Sequence, residues 1–170
     1  MAAADLQRLL AERECERLQI RYALAADRGD AEGFAALFTA DARIVIPEYP
    51  PFVGHSAIHA SLVALAGLRI TMLHIVTNQL VTVTGPDTAE GICYLTVFDN
   101  PDDADAAGLR GVRPASTVGV CEDRFVRTGD GWRIQEHRLT RIFTSRAGTP
   151  VSGTGAGSTN LAAGATHGDR

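Results

Sequence analysis

The sequence contains few cysteines and no long hydrophobic run. Cys15, Cys93 and Cys121 are the three cysteines among 170 residues, an odd number without the spacing of metal ligands. We therefore predict small, buried, reduced thiols and no disulfide. No apolar segment approaches the length of a membrane span, and the N-terminal residues lack the charged and apolar regions of a secretory signal. These absences predict a cytoplasmic protein without membrane partners.

Basic charge and nucleotide-binding motifs are also missing. The formal net charge is −4 and the arginines are dispersed among acids, which argues against nucleic-acid partners. No nucleophile elbow, phosphate loop or dinucleotide fingerprint occurs, so serine hydrolase, nucleotide-dependent and oxidoreductase chemistry are not indicated. His55 and His59 have the i,i+4 spacing of some zinc helices, but the sequence nearby offers no suitable glutamate and no third ligand. We expect no metal and no cofactor.

The chain is long enough for one compact domain, which we place at residues 1–146. Helical periodicity predicts three helices, at 5–28, Ala31 to Phe38 and His55 to Ala66. A short strand is predicted at Ala42 to Ile46, followed by four long ones: Ile70 to Thr84, Thr88 to Asp99, Ser116 to Arg127 and Gly131 to Thr144. This order predicts an α+β fold in which a long, curved, mostly antiparallel sheet wraps the first helix.

Two segments are not expected in the core, one because it is polar and the other because its side chains are small. The acidic loop from Asn100 to Pro114 joins two predicted hairpins and is long enough to form a lid or a subunit contact. Residues 147–170 consist mostly of Gly, Ala, Ser and Thr, so they bury too little apolar surface to offset the entropy of ordering. We interpret them as a C-terminal tail.

One histidine and one asparagine interrupt an apolar strand at Met72 to Asn78. From Ile70 to Thr84 apolar residues occupy both parities, which is typical of a strand covered on both faces. His74 there needs hydrogen-bond partners, and Asp27 near the end of the first helix could fix its tautomer and leave the other ring nitrogen free to move protons. The alternative is a buried histidine bonded to a backbone carbonyl, with Asp27 serving only the helix terminus or an ion pair.

Further candidates lie on the first helix and the last strand. Tyr22 could donate a hydrogen bond to a substrate oxygen, or simply pack in the core. Alternation places His137 and Arg141 on one face of the last strand and Arg138 on the other, unless a bulge intervenes. An inward arginine would bind an anionic group, whereas an outward one would pair with a carboxylate across the hairpin.

Other residues could complete a cavity or support it. Asn78 shares the face of His74 by alternation, and we interpret it as structural, serving a loop or bulge backbone. Trp132 follows a turn and is expected to pack. Large apolar residues that could line a cavity or fill the core are Phe52, Met72, Phe98 and Phe143.

Three segments together resemble a known family. They are "IRYALAADRGDAEGFAALFTADARI" at 20–44, "HIVTN" at 74–78 and "EDRFVRTGDGWRIQEHRL" at 122–139. In order and spacing they resemble the SnoaL-like branch of the nuclear transport factor 2-like superfamily, over roughly residues 5–144. The resemblance implies a cone-shaped α+β barrel with an apolar cavity, a fold that by itself leaves the chemistry open.

The resemblance also implies roles for particular residues. Scytalone dehydratase, bile-acid dehydratase and a hexachlorocyclohexane dehydrochlorinase pair an Asp from the end of the first helix with a His on the first long strand, which match Asp27 and His74. The bile-acid enzyme also has a tyrosine that matches Tyr22. Polyketide cyclases and epoxide hydrolases in the superfamily rely on strand carboxylates instead, for which Asp99 and Asp123 are the candidates here.

These observations lead to one functional hypothesis and two alternatives. We expect a cofactor-independent, dehydratase-type lyase that acts on a hydrophobic, polycyclic or aromatic carbonyl compound. His74 would be the general base, Asp27 and Tyr22 would assist, and the substrate-binding residues would be Phe52, Met72, Phe98, His137 and Arg141. A keto-enol or double-bond isomerase or cyclase could use the same pair, and an accessory or ligand-binding subunit would be non-catalytic.

A homodimer is expected from the outer face of the sheet. One parity of the last strands carries the apolar residues Val118, Val120, Leu139 and Phe143, more than a solvated face needs. We therefore predict that two copies pack sheet against sheet, as members of the resembled family often do.

Overall fold

A computed structural model describes residues 3–101, 104–111 and 113–145 of the chain. It contains three helices, α1 (Ala3–Arg28), α2 (Ala31–Ala35) and α3 (Gly54–Ala66). The strands are β1 (Phe38–Val45), β2 (Phe52–Val53), β3 (Ile70–Gly85), β4 (Thr88–Pro101), β5 (Thr117–Thr128) and β6 (Gly131–Thr144). The predicted α+β class, the order of three helices and the four long strands are confirmed.

The first helix carries one buried face along its length, which includes Cys15, Leu18, Tyr22 and Ala26. These positions recur at three- and four-residue intervals, as expected for a helix packed on a sheet. Gly29 ends the helix with a φ of 65°, a left-handed conformation that glycine adopts without steric cost. Asp30 then caps α2, because its Oδ1 accepts a hydrogen bond from the Gly33 backbone at 2.9 Å.

The prediction that the second helix continues to Phe38 is wrong. The helix ends at Ala35, and Phe38 is the first residue of β1, which therefore begins four residues before the predicted Ala42. The carbonyl of Leu37 accepts a hydrogen bond from the backbone of Ile134 in β6 at 2.9 Å. Pairing with the sheet has replaced the next helical turn, a long-range effect that the apolar spacing of Phe34 and Phe38 could not indicate.

The six strands form one open mixed sheet in the order β2-β1-β6-β5-β4-β3. All neighbouring strands are antiparallel except β1 and β6, which run parallel. The strand that carries His74, β3, lies at an edge and pairs only with β4 among the described strands. The helices cover the inner face, where α1 packs against β3 and the side chains of β1, β4, β5 and β6 form the core.

Two of the bulges in the long strands change which side chains face inward near the middle of the sheet. In β3 the register shifts between Thr77 and Leu80, and Asn78 has a φ of 52°. In β6 the register skips Gln135, so that both Ile134 and His137 are buried despite their odd spacing. Each bulge inserts one residue and thereby reverses the alternation beyond it.

The outer face of the sheet carries many exposed apolar side chains. Leu73, Ile75 and Leu80 of β3 are exposed, so the prediction that this strand is covered on both faces is wrong for the single chain. The outer residues of neighbouring strands lie side by side, since Leu73 pairs with Phe98 and Leu80 with Ile92. Of the residues predicted on this face, Leu139 instead lies buried on the inner face.

Some predictions fall partly or wholly outside the described residues. The tail predicted at residues 147–170 lies beyond them. Of the predicted loop from Asn100 to Pro114, residues 100–101, 104–111 and 113–114 are described, and the first two belong to β4. In the loop itself the carboxylate of Asp105 accepts hydrogen bonds from the backbones of Ala107 and Leu109. Within the described residues, no helix has both the length and the apolar character needed to cross a membrane.

Candidate active site

Asp27 and His74 are in direct contact where the end of α1 meets β3. Oδ1 of Asp27 lies 2.5 Å from Nδ1 of His74, and both carboxylate oxygens also accept from the backbone N–H of His74, at 3.0 and 3.1 Å. This backbone group is available because β3 is an edge strand. The His74 and Asp27 side chains are 11% and 13% exposed, so the pair is largely shielded from water.

The contact determines the chemistry of the imidazole. A carboxylate at Nδ1 accepts the Nδ1 hydrogen, so the neutral ring carries its lone pair on Nε2. The same carboxylate stabilises the imidazolium that would form when Nε2 takes a proton. The arrangement can therefore act as an oriented general base, and it is the arrangement expected from the sequence for these two residues.

A second histidine–carboxylate pair lies deeper in the molecule. Nδ1 of His137 in β6 is 2.7 Å from Oδ1 of Asp123 in β5, and these side chains are 5% and 1% exposed. Oδ2 of Asp123 accepts from the amide of Gln19 at 2.7 Å, and Gln19 accepts in turn from Gln79 at 3.0 Å. This chain of hydrogen bonds, which we call the inner network, links α1 to three strands of the sheet.

Tyr22 packs against the inner network and not beside the Asp27–His74 pair. Its ring stacks on His137 with centroids 4.3 Å apart and also contacts Phe34 and Phe38. Burial, followed by the nearby thiols and Asp123, raises the pKa of its phenol well above the ordinary value. Tyr22 was predicted either to donate to a substrate oxygen or to pack in the core, and its surroundings are those of a core residue. Among the described residues, no contact links Tyr22 to His74.

The predicted substrate-binding residues do not all lie on one surface. Met72 shares the inner face with His74, and Phe52 packs against the core from β2. Phe98 lies on the outer face and is 37% exposed, because its neighbour Val97 takes the inward position, so its assignment to the cavity is wrong. His137 and Arg141 share the inner face as the alternation predicted.

The arginines of the last strand have different partners from those expected. Arg138 faces outward, and its guanidinium donates to Glu136 on its own strand at 2.7 Å. Arg141 instead donates to Glu48, in the loop that follows β1. Arg141 also lines a groove of about 410 Å³ with Asp99, Thr117 and Thr144. This groove lies at the same end of the sheet as His74, since Val97 pairs with both His74 and Thr117.

The two histidines of α3 each bond to a neighbouring element. Nε2 of His55 lies 3.0 Å from the carbonyl oxygen of Phe38, and Nε2 of His59 lies 3.1 Å from Oε1 of Glu32. In the part of the chain that the structure describes, no three His, Cys, Asp or Glu side chains are grouped as metal ligands.

The three cysteines are free and buried, and their burial confirms the prediction from the sequence. Cys93 and Cys121 pair across β4 and β5, and a hydrogen bond between their thiols, together with burial, raises the pKa of Cys121.

A further concavity lies away from His74 and His137. It measures about 630 Å³ and lies over the sheet, among residues that include Leu80, Glu90, Ile92, Glu122 and Arg138. Small-molecule pockets are usually lined by apolar side chains, whereas this wall is largely charged. Neither His74 nor His137 is among its lining residues, although Asp123 of the inner network borders it.

Sequence reasoning missed the inner network. The sequence indicates Asp123 only as a strand carboxylate for the cyclase and hydrolase alternatives, and it assigns no role to Gln19. The sequence does contain a sign that Asp123 is buried. Every second residue of β5 faces inward, which places Asp123 between Cys121 and Phe125, both apolar and buried. A carboxylate in such a row requires a partner. The partner could not be identified, because the bulge at Gln135 that turns His137 inward leaves no mark in the sequence.

Comparisons with known proteins give the family. A family model described as a SnoaL-like domain matches residues 7–138. No curated protein matches the chain. A nuclear transport factor 2-like protein with a cystatin-like fold from Novosphingobium aromaticivorans is 28% identical with a TM-score of 0.70, over 85% of this chain and 90% of that one.

Two other solved structures have similar folds. An Asp-to-Asn variant of Rv3472, a protein of unknown function from Mycobacterium tuberculosis, is 27% identical, with a TM-score of 0.68 over 83% of this chain and 76% of that one. A provisionally assigned scytalone dehydratase from Novosphingobium aromaticivorans has a TM-score of 0.69 over 89% of this chain and 98% of that one. At 19% identity the latter supports the fold alone. With the family model matching most of its length, the chain belongs to the SnoaL-like domain family.

Proposed function

We propose that this chain is a cofactor-independent lyase of the dehydratase type, with His74 as its general base. The observation that carries the proposal is the 2.5 Å contact between Asp27 and Nδ1 of His74. Such a carboxylate orients the ring and stabilises its protonated form, which are the two requirements for removing a proton from carbon. A provisionally assigned dehydratase is among the solved structures that share this fold.

The reaction would begin at an acidic C–H bond next to a carbonyl group. Nε2 of His74 takes the α proton, and the electron pair of that C–H bond moves to the carbonyl oxygen as an enolate. The enolate then reforms its carbonyl, with a new double bond between the α and β carbons, and expels a hydroxide from the β carbon. The imidazolium returns its proton to the hydroxide, so that water leaves and the base is restored.

A bicyclic β-hydroxy ketone such as 4-hydroxy-2-tetralone tests this reaction. Its dehydration gives 2-naphthol, which fluorescence detects over the uncatalysed background. A positioned general base contributes about 10²–10⁴-fold, so His74→Gln is expected to lose a factor in this range and Asp27→Asn to follow it. His59→Gln is the matched control, because His59 bonds to Glu32 on the surface of the helices. Unchanged turnover in His74→Gln would contradict the proposal.

An isomerase that uses the same pair is the second candidate. It is distinguished by following hydrogen exchange at the α carbon of 2-tetralone in D₂O, since that ketone has no leaving group. A protein that accelerates this exchange through His74 but does not dehydrate the hydroxy ketone would be an isomerase. A protein that binds both ketones and does neither would be a ligand-binding or accessory subunit.

A further inference from the structure

The inner network places an ionisable pair in an apolar interior. Asp123 is 1% exposed, and among the described residues its hydrogen bonds and ion pairs are with Gln19 and His137. No arginine contacts it there. A buried carboxylate that keeps an uncompensated charge is costly, so the pair is favoured in states with no net charge.

The neutral states of the pair have one feature in common. In one, an ionised Asp123 faces a His137 ring that carries hydrogens on both nitrogens. In the other, a protonated Asp123 donates to Nδ1, and the neutral ring carries its hydrogen on Nε2. Nε2 of His137 is therefore a hydrogen-bond donor in both states, and whatever faces it must be an acceptor.

That donor is buried without an acceptor among the described residues. By contrast, Nε2 of His55 has the Phe38 carbonyl within 3.0 Å, which is how a structural histidine in this fold is satisfied. His137 lines a cavity of about 10 Å³ whose wall also includes Val76, Leu95, Tyr22 and Cys93. Val76 is two residues from His74 on the same face of β3, so the cavity borders the strand that carries the proposed base.

The cavity has room for about one water-sized group, and most of its wall is apolar. A ring would not fit, whereas a single oxygen atom would. We infer that His137 is a second ligand-binding residue, whose Nε2–H donates to the carbonyl oxygen of a small apolar ketone. This inference rests on the proposed function for the class of ligand, and it adds the group that recognises the carbonyl.

The role would also extend to catalysis. When His74 removes the α proton, negative charge develops on the carbonyl oxygen, and a donor fixed in an apolar site stabilises that charge more than it stabilises the ketone. Asp123 would be a positioning residue through its hydrogen bond to the ring, and Gln19 through its hydrogen bond to Asp123.

Binding of a matched pair of probes tests the inference without requiring turnover. 2-Tetralone carries a carbonyl group, whereas the hydrocarbon tetralin has the same rings without it. Wild-type protein is expected to bind the ketone about tenfold more tightly than the hydrocarbon, as one buried hydrogen bond would give. His137→Phe should remove this preference, and His59→Phe should keep it. His74→Gln should also keep it, while losing α-hydrogen exchange.

His137→Phe leaves Asp123 buried without its partner and could destabilise the fold. A second measurement therefore uses the wild-type protein. Long-range proton–nitrogen NMR of the histidine rings is expected to show hydrogen on Nε2 of His137, and its resonance should shift with 2-tetralone but not with tetralin. A bare Nε2, a resonance indifferent to the ketone, or an acceptor supplied by an internal water alone would overturn the inference. Failure of α-hydrogen exchange with the carbonyl preference intact would instead count against the proposed base, His74.

Discussion

Asp27 serves two groups of the same residue. Its carboxylate accepts from the backbone of His74 and contacts the ring nitrogen of that residue as well. The strand position and the ring orientation are thus held by one side chain. A substitution at Asp27 would therefore alter both the edge of the sheet and the imidazole, and Asp27→Asn, which keeps an oxygen acceptor, separates the two effects better than Asp27→Ala.

Cys15 gives a testable dependence of stability on pH. Burial, together with Glu14, Asp123 and other nearby carboxylates, raises the pKa of its thiol from 9.0 to about 12. Above pH 9 the unfolded chain loses this proton while the folded chain keeps it, so the unfolded state is favoured as pH rises. The stabilisation is complete below pH 9 and is lost between about pH 9 and 12.

The loss should amount to about 1.4 kcal/mol per pH unit for this one group. Urea unfolding of the wild type and of Cys15→Ala between pH 8 and 10.5 measures it. The variant should be less stable at pH 8, because a buried group is removed, but its stability should fall less steeply with pH. Parallel pH profiles for the two proteins would show that Cys15 does not ionise on unfolding as expected.

Single functional residues could be located from the sequence only where the spacing of apolar residues is regular. Periodicity located Asp27 at a helix end and His74 in a strand interior, and the resemblance to the SnoaL-like family indicated that they form a pair. His137 was placed on the correct face, but its partner Asp123 was not identified. The distance between two strand residues depends on register, which bulges change and which composition does not reveal.

At the scale of elements, the bulge in β3 orients the inner network. Asn78 adopts a left-handed φ of 52°, and beyond it Gln79 reaches the inner face, where its amide donates to Gln19 and to the backbone of Glu16. Asparagine is one of the few residues that tolerate this conformation. The interpretation of Asn78 as a structural residue agrees with this position.

Substitution at Asn78 should show the cost of that conformation. Asn78→Val places a β-branched side chain in the left-handed region and is expected to lower the free energy of unfolding by about 1–3 kcal/mol. Asn78→Gly should change it by less than about 1 kcal/mol, since glycine adopts positive φ freely. Denaturant unfolding measures both.

Thr77→Val is the matched control for that series, because Thr77 is the preceding strand residue and is exposed without a positive φ. Equal destabilisation by valine at positions 77 and 78 would mean that side-chain loss, rather than backbone conformation, is responsible.

Element boundaries could be predicted where the chain itself signals them. Gly29 and Asp30 mark the break between the first two helices in both sequence and structure. The boundary between α2 and β1 was missed, because it depends on Ile134, about a hundred residues later in the chain. Local periodicity contains no information about such a partner.

At the scale of the whole molecule, the outer face of β3 and β4 explains why the sequence of β3 has the apolar pattern of a strand covered on both faces. The exposed side chains form a continuous patch of Leu73, Ile75, Leu80, Ile92, Tyr94 and Phe98. Monomeric proteins seldom expose apolar patches of this kind. We expect two copies of the chain to cover the patch by packing sheet against sheet.

A charge introduced into the patch tests this expectation. Light scattering at micromolar concentration should find a dimer for the wild type and a monomer for Leu80→Glu. Leu68→Glu is the control, since Leu68 is similarly exposed but lies in the connection between α3 and β3. A monomeric wild-type protein would contradict the prediction, and so would a dimer that survives in Leu80→Glu.

The parallel pairing of β1 with β6 has a consequence for the order in which the chain can fold. Phe38 in β1 lies opposite Ile134 in β6, so the two strands are neighbours in space although most of the chain separates them. Contacts of such long sequence separation close late and slow the folding of a domain. During synthesis, β1 therefore cannot pair with β6 until the last strand has left the ribosome. Until then the apolar side chains that will form the inner face of the sheet remain exposed and can be bound by chaperones.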